Sequence, residues 1–91
     1  MKRDKYDIMA IILSAAIRGI KKTALVYRSN LNFKLMHKYT KILVEIGYLT
    51  FKKQHFFTTE KGKMYLEHYN VLINHVYASE QQNVESEITD F

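Results

Sequence analysis

The chain has 91 residues and a formal net charge of +5, with no cysteine, proline or tryptophan. This length predicts one domain with a small core, and the lack of cysteine excludes disulfides and thiolate metal sites. Hydrophobic residues make up 47% of the chain, enough to build a core, which argues against intrinsic disorder. The excess of cations favours a polyanionic partner, either nucleic acid or an anionic membrane surface.

An apolar stretch at residues 8–17 has the character of a signal-peptide core. Export is opposed by Asp4 and Asp7 before this stretch and by cations directly after it. The stretch is also shorter than the roughly 20 apolar residues that a membrane span needs. We therefore expect a cytoplasmic protein without a membrane segment.

The beginning of the chain predicts two helices. The first covers residues 4–18, because four apolar residues share one face of a 3.6-residue period: Ile8, Ile11, Ile12 and Ala15. Gly19 is its expected stop. Residues 20–22 could form a short extended piece, and Thr23 is a candidate N-cap for a short helix over residues 24–28.

The clearest helix is predicted over residues 33–46, with Asn32 as N-cap and Gly47 directly after its end. Its apolar stripe consists of Met36, Tyr39, Leu43 and Ile46. The other side is polar and basic, with Lys34, His37, Lys38 and Lys41. Residues 48–59 then read as a two-stranded hairpin, rich in aromatic residues and threonine, with a basic tip.

Thr59 is the expected cap of a last helix that carries a coiled-coil-like seam. The seam residues are Tyr65, Tyr69, Leu72, Ile73 and Val76. They could pack on the first helix of the same chain, but a dimer interface is favoured because so small a chain has few other apolar positions to cover them. Residues 1–79 hold all 14 cations and five anions, a net charge of +9, whereas residues 80–91 hold four anions and no cation.

The predicted order is helix, short helix, turn, helix, hairpin, long helix. We expect a mainly helical α+β fold, a winged helix-turn-helix with a two-stranded wing and a long C-terminal dimerisation helix. The expected division is a helix-turn-helix core and wing at 1–58, the dimerisation helix at 59–78, and an acidic tail or frayed helix extension at 79–91.

Two segments carry a family resemblance: SNLNFKLMHKYTKILVEIGYL at residues 29–49 and FFTTEKGKMYLEHYNVL at residues 56–72. They resemble the small archaeal winged-helix DNA-binding proteins of the "ten-a" chromatin type, and are similar to winged-helix regulators of archaea and archaeal viruses. The resemblance implies a homodimer held by the last helix, with a basic recognition helix and a basic wing on each protomer.

The expected partner is double-stranded DNA, since cations on an exposed helix can meet phosphates and guanine acceptor atoms in the major groove. The alternative for such a cluster is a solvated helix face. The candidate DNA-binding residues of the wing are Lys52, Lys53 and His55. The alternative role of the two lysines is to protect the sheet edge from pairing with another molecule. Ser29 and Asn32 could add contacts at the start of the recognition helix, and Arg28 could meet a phosphate or the dipole of its own helix.

Nothing in the sequence indicates an enzyme. His68 and His75 lack a third nearby metal ligand, and no nucleophile or paired-carboxylate motif is present. No cofactor, metal or small-molecule ligand is therefore expected. The predicted function is DNA binding as a nucleoid-associated transcriptional regulator or chromatin-type protein. The alternative is a winged-helix interaction module whose basic face binds an acidic protein.

Overall fold

The computed structural model describes residues 4–89, and within them the side chains other than those of residue 77 and residues 79–89. Four helices and three strands follow one another within residues 4–89. They are α1 (Lys5–Ala15), β1 (Ile20–Lys21), α2 (Lys22–Ser29), α3 (Phe33–Glu45), β2 (Leu49–Lys52), β3 (His55–Thr58) and α4 (Glu60–Thr89). Helix α1 is central, because it contacts α2, α3, α4 and β3.

Helix α1 begins where the sequence predicts but ends earlier. Asp4 and Asp7 form a capping box, in which the Asp7 N–H donates to Asp4 Oδ1 at 2.9 Å and the Asp4 N–H donates to Asp7 Oδ2 at 3.3 Å. The helix ends at Ala15 rather than at residue 18, because residues 16–18 form a turn. Gly19 follows with a φ of +90°, which a glycine adopts without steric cost.

Helix α2 begins differently from the prediction. Thr23 is not its N-cap; the cap position is Lys21, whose side chain makes no capping hydrogen bond. The physical reason is the pairing of Lys21 in strand β1, which fixes its backbone as extended and leads directly into the helix. The C-cap of α2 is Asn30, in the left-handed region with a φ of +55°.

Helix α3 confirms both of its predicted ends. Asn32 is the N-cap, and its Oδ1 accepts a hydrogen bond from the Leu35 N–H at 2.8 Å. Gly47 follows the last turn with a φ of +83°. Of the predicted apolar stripe, Met36 and Leu43 are fully buried, whereas Ile46 at the C-cap is 40% exposed.

The wing belongs to a three-stranded antiparallel sheet in the order β1-β3-β2, so the predicted two-stranded wing is incomplete. Strand β1 adds to the free edge of β3 by pairing Ile20 with Phe56, and both side chains are buried in the core. The β2–β3 hairpin turns at Lys53 and Gln54, which have φ angles of +50° and +63°. Two successive positive φ angles are the signature of a type I′ turn, formed here without the Asn-Gly sequence.

The core lies between α1 and the surrounding elements. Its largest fully buried side chains are Ile12, Leu13, Leu25, Met36, Leu43 and Leu49. Two buried hydroxyls are satisfied by the backbone: Thr40 Oγ1 donates to Met36 O at 2.8 Å, and Thr58 Oγ1 donates to Leu13 O at 2.7 Å. The second bond joins β3 to α1 and so fixes the wing on the helical body.

Thr59 is the N-cap of helix α4, as predicted. Its hydroxyl donates to Gly47 O at 2.6 Å and accepts from the Gly62 N–H at 3.1 Å, which joins the ends of α3 and β3 to the first turn of α4. Gly62 lies so close to Tyr48, the residue before β2, that a Cβ atom at position 62 would be 2.4 Å from Tyr48 O. Only glycine permits this contact between helix and backbone.

Gly62→Ala is therefore expected to lower the free energy of unfolding by about 1–3 kcal/mol, because the added methyl group must displace backbone rather than a flexible side chain. Urea unfolding followed by circular dichroism measures the change. Met64→Ala, at a side chain that is 57% exposed on the same helix, is the control and is expected to change little. A Gly62→Ala variant as stable as the wild type would contradict the close approach.

Helix α4 packs on α1 and the core through residues in its first half. Leu66 is buried, and Tyr65 and Tyr69 are partly buried against the core. Further along, three of the predicted seam residues are exposed, with Leu72 at 61%, Ile73 at 43% and Val76 at 48%. The helical backbone continues through the acidic segment to Thr89, and residues 90–91 of that segment lie outside the described residues.

Candidate nucleic-acid interface

The basic face of α3 is exposed, as the helical period predicts. Lys34, His37, Lys38 and Lys41 all lie on the solvent side of the helix. The burial of Met36, Thr40 and Leu43 on the other side fixes this orientation. Lys63 pairs with Glu60 at 3.2 Å, whereas none of the α3 lysines pairs with a carboxylate among the described side chains. We call this set the α3 basic face.

The wing tip is also basic and is joined by residues that the sequence did not single out. Lys52 and Lys53 are exposed, and His55 Nδ1 lies 2.8 Å from Lys53 O. Arg18 lines a groove of about 560 Å³ with these three residues. Lys21 pairs in register with His55, which places a further cation on the sheet. The sequence signal for Arg18 and Lys21 was the run of cations after the first helix. The sequence alone could not show that these residues lie beside the wing.

A second groove lies between α3 and the sheet. Its volume is about 290 Å³, and its apolar lining consists of Val44, Phe51 and Phe56. The polar residues around it are Lys22, His37, Thr40, Lys41 and Glu45. We call it the helix–wing groove. It brings part of the α3 basic face next to an aromatic side chain of the wing.

The buried position of the Ser29 side chain argues against the nucleic-acid contact predicted for it. Ser29 is 2% exposed, and its hydroxyl donates to Leu25 O at 2.6 Å, one turn back in α2. Asn32 is exposed, but its Oδ1 is engaged as the N-cap of α3. Arg28 lies in the last turn of α2, where it suits the helix dipole, and lines a groove with Asp7 and Tyr69 between α1 and α4.

Tyr65 and Tyr69 hold α4 to α1 of the same chain, the alternative to a dimer contact that the sequence left open. Tyr65 Oη donates to Tyr6 O at 3.0 Å, and Tyr69 Oη donates to Asp7 Oδ1. The hydrogen bond to Asp7 raises the pKa of Tyr69 to about 12. Burial, reinforced by the negative charge of Asp4, raises the pKa of Tyr65 to about 12. Both phenols therefore stay protonated, as hydrogen-bond donors, to a higher pH than an exposed tyrosine would.

Other site classes find no support in the part of the chain that the structure describes. No group of three or more His, Asp or Glu side chains lies close enough to hold a metal ion there, and His68 and His75 belong to no such group. Within residues 4–89, no helix has the length and apolar character needed to cross a membrane.

Comparison with known proteins supports the fold. Residues 2–76 match the model of a family described as "Winged helix-turn-helix". The crystal structure of Sso10a-2, a DNA-binding protein from Sulfolobus solfataricus, is similar to this chain with a TM-score of 0.70 and 24% sequence identity. The match covers 91% of this chain and 95% of that chain. No significant match was found among curated proteins. These matches confirm the winged-helix fold that the resemblance to small archaeal DNA-binding proteins implies.

Proposed function

The chain belongs to the winged helix-turn-helix family, and on that premise we propose that it binds double-stranded DNA through the α3 basic face and the wing. The observation that carries the proposal is the position of the lysines at 34, 38 and 41, which are exposed on one face of the third helix without a described carboxylate partner. A helix of this kind fits the major groove, where lysines meet phosphates and guanine acceptors. The described resemblance to Sso10a-2, a DNA-binding protein, supports the same function.

The wing supplies the second contact in this proposal. Arg18, Lys52 and Lys53 form a basic surface at the end of the sheet. Such a surface suits the phosphate backbone or the minor groove flanking the site. Arg28 and Ser29 take no part in this arrangement, because Arg28 lines a different groove with residues of α1 and α4 and Ser29 is buried.

We propose that the binding is largely tolerant of sequence, as in a chromatin-type protein. Helix α3 contains no arginine, asparagine or glutamine, whose planar side chains can read one base edge through two hydrogen bonds in a fixed geometry. Its exposed polar residues are mainly lysines, which act as point charges toward phosphates. Selection from random duplexes tests this point: no consensus is expected, and a strong consensus would indicate a sequence-specific regulator instead. This role places the protein in the cytoplasm, on the nucleoid.

We further propose a homodimer held by α4. Leu72, Ile73 and Val76 are exposed on one side of the helix, beyond the part that packs on α1. Leu72 also borders a small apolar groove formed with Tyr6 and Tyr65, which continues this surface onto the body. A partner helix lying on these residues would remove them from water, which is the main driving force of such association.

DNA binding is expected to depend steeply on salt. Six cations of each protomer, three on α3 and three on the wing surface, are placed to meet phosphates, so log K against log salt should have a slope of about −5 per protomer. A filter-binding or anisotropy titration at several salt concentrations measures it. No binding to any duplex at low salt would contradict the proposal and favour an acidic protein as the partner of the basic face.

A further inference from the structure

An aromatic side chain is exposed inside the helix–wing groove. Phe51 pairs with Phe56 across the hairpin, and their ring centroids are 4.7 Å apart. Phe56 is 7% exposed, whereas Phe51, on the neighbouring strand β2, is 51% exposed. One ring is thus held in place by its neighbour and remains open to a ligand. Contacts between lysines and duplex phosphates make no use of such a ring.

The groove is surrounded by groups that suit a nucleotide. Lys22 and Lys41 line it and can meet phosphates on either side of a bound base. Lys22 Nζ also lies 5.4 Å from the ring centroid of Phe33, which is 56% exposed, so a second open aromatic ring adjoins the same cation. Glu45 places a carboxylate at the groove, which can accept a hydrogen bond from the exocyclic amine of a base.

We propose that the helix–wing groove binds an unpaired base of single-stranded DNA, stacked on Phe51, with the flanking phosphates on Lys22 and Lys41. Aromatic rings combined with a cationic groove are the usual platform for single strands, since every base has a flat apolar face. The bases of an intact duplex are stacked on one another and cannot offer that face. The site therefore takes single strands or locally opened duplex. This inference rests on the proposed function in taking DNA as the ligand.

The test compares two single strands that differ only in their bases. Fluorescence anisotropy is measured with oligodeoxycytidylate, whose bases carry an exocyclic amine, and with an abasic strand of the same length, and a duplex is titrated in parallel. The natural strand is expected to bind about tenfold more tightly than the abasic strand, because the abasic strand keeps the phosphates and loses the stacking. Phe51→Leu should remove most of that difference and leave abasic-strand and duplex binding unchanged. Leucine keeps the apolar contact with Phe56, which protects the fold of the hairpin.

A matched control is Tyr27→Leu, which removes a ring that is 88% exposed on α2 and does not line the groove. It should leave the preference for the natural strand intact. Equal affinity for the natural and abasic strands overturns the inference, as does an equal loss in the two variants. Failure of the duplex to bind overturns the proposed function, while the comparison of the two single strands still decides the role of the groove.

Discussion

Alanine at Lys34, Lys38 and Lys41 together is expected to weaken duplex binding by about 10²- to 10³-fold near 0.1 M salt. The three side chains share one exposed face of α3, so one surface on DNA loses three phosphate contacts at once. Each contact contributes about 0.9 to the slope of log K against log salt, and the slope should fall by about 2.7 per protomer. Anisotropy titrations of one duplex at several salt concentrations give both quantities.

The fold should tolerate this triple substitution, because the three side chains are exposed and alanine has the highest helix propensity. The charge-matched control replaces Lys5, Lys61 and Lys63 with alanine. These residues lie on α1 and α4, and their replacement lowers the net charge by the same amount. If both variants lose affinity to the same extent, net charge rather than the α3 basic face drives binding. Unchanged affinity in the α3 variant would assign the DNA contact to another helix.

Leu72→Glu is expected to convert a dimer into a monomer of 10.8 kDa, as measured by light scattering at micromolar concentration. Leu72 is 61% exposed within the protomer, so a carboxylate there is solvated in the monomer and is buried only in a dimer. The helix-turn-helix core should remain folded. The thermal unfolding transition of the variant should therefore match that of the wild-type protein at concentrations where both are monomeric. Duplex affinity should fall by about 10²-fold or more, since two linked binding domains become independent.

Asn74→Glu provides the matched control, because it adds the same charge to α4 on the side of the helix away from Leu72. It is expected to leave the mass and the DNA affinity unchanged. A wild-type protein that is already monomeric at micromolar concentration would contradict the dimer. A Leu72→Glu variant that remains dimeric would place the interface on another surface.

The features predicted correctly from the sequence are mostly local. Asn32 and Thr59 act as helix caps through hydrogen bonds to backbone groups three residues ahead, and Gly47 takes the positive φ at the end of α3. These bonds connect neighbours in the chain, so residue type and spacing suffice to predict them. The exposure of Lys34 and Lys41 follows in the same way from the helical period and the burial of the opposite face.

The features that the sequence did not predict concern residues whose partners are distant in the chain. Ser29 has a turn-forming residue type, yet the packing of α2 on α1 buries it. Tyr69 fits a dimer seam by spacing, yet its hydroxyl bonds to Asp7, 62 residues earlier. Arg18 reaches the wing because β1 pairs with β3 across more than 30 residues of chain. A pattern along the chain does not contain these pairings.

The sequence by itself determined the winged helix-turn-helix order, the ends of α3 and the basic character of α3 and the hairpin tip, because charge, period and capping act within a few residues. The tertiary structure decided which surfaces these elements share. It added β1 to the sheet, brought Arg18 to the wing and opened the groove that exposes Phe51 beside Lys22. These arrangements depend on strand pairing and helix packing between distant segments, where burial of the whole core selects the partner.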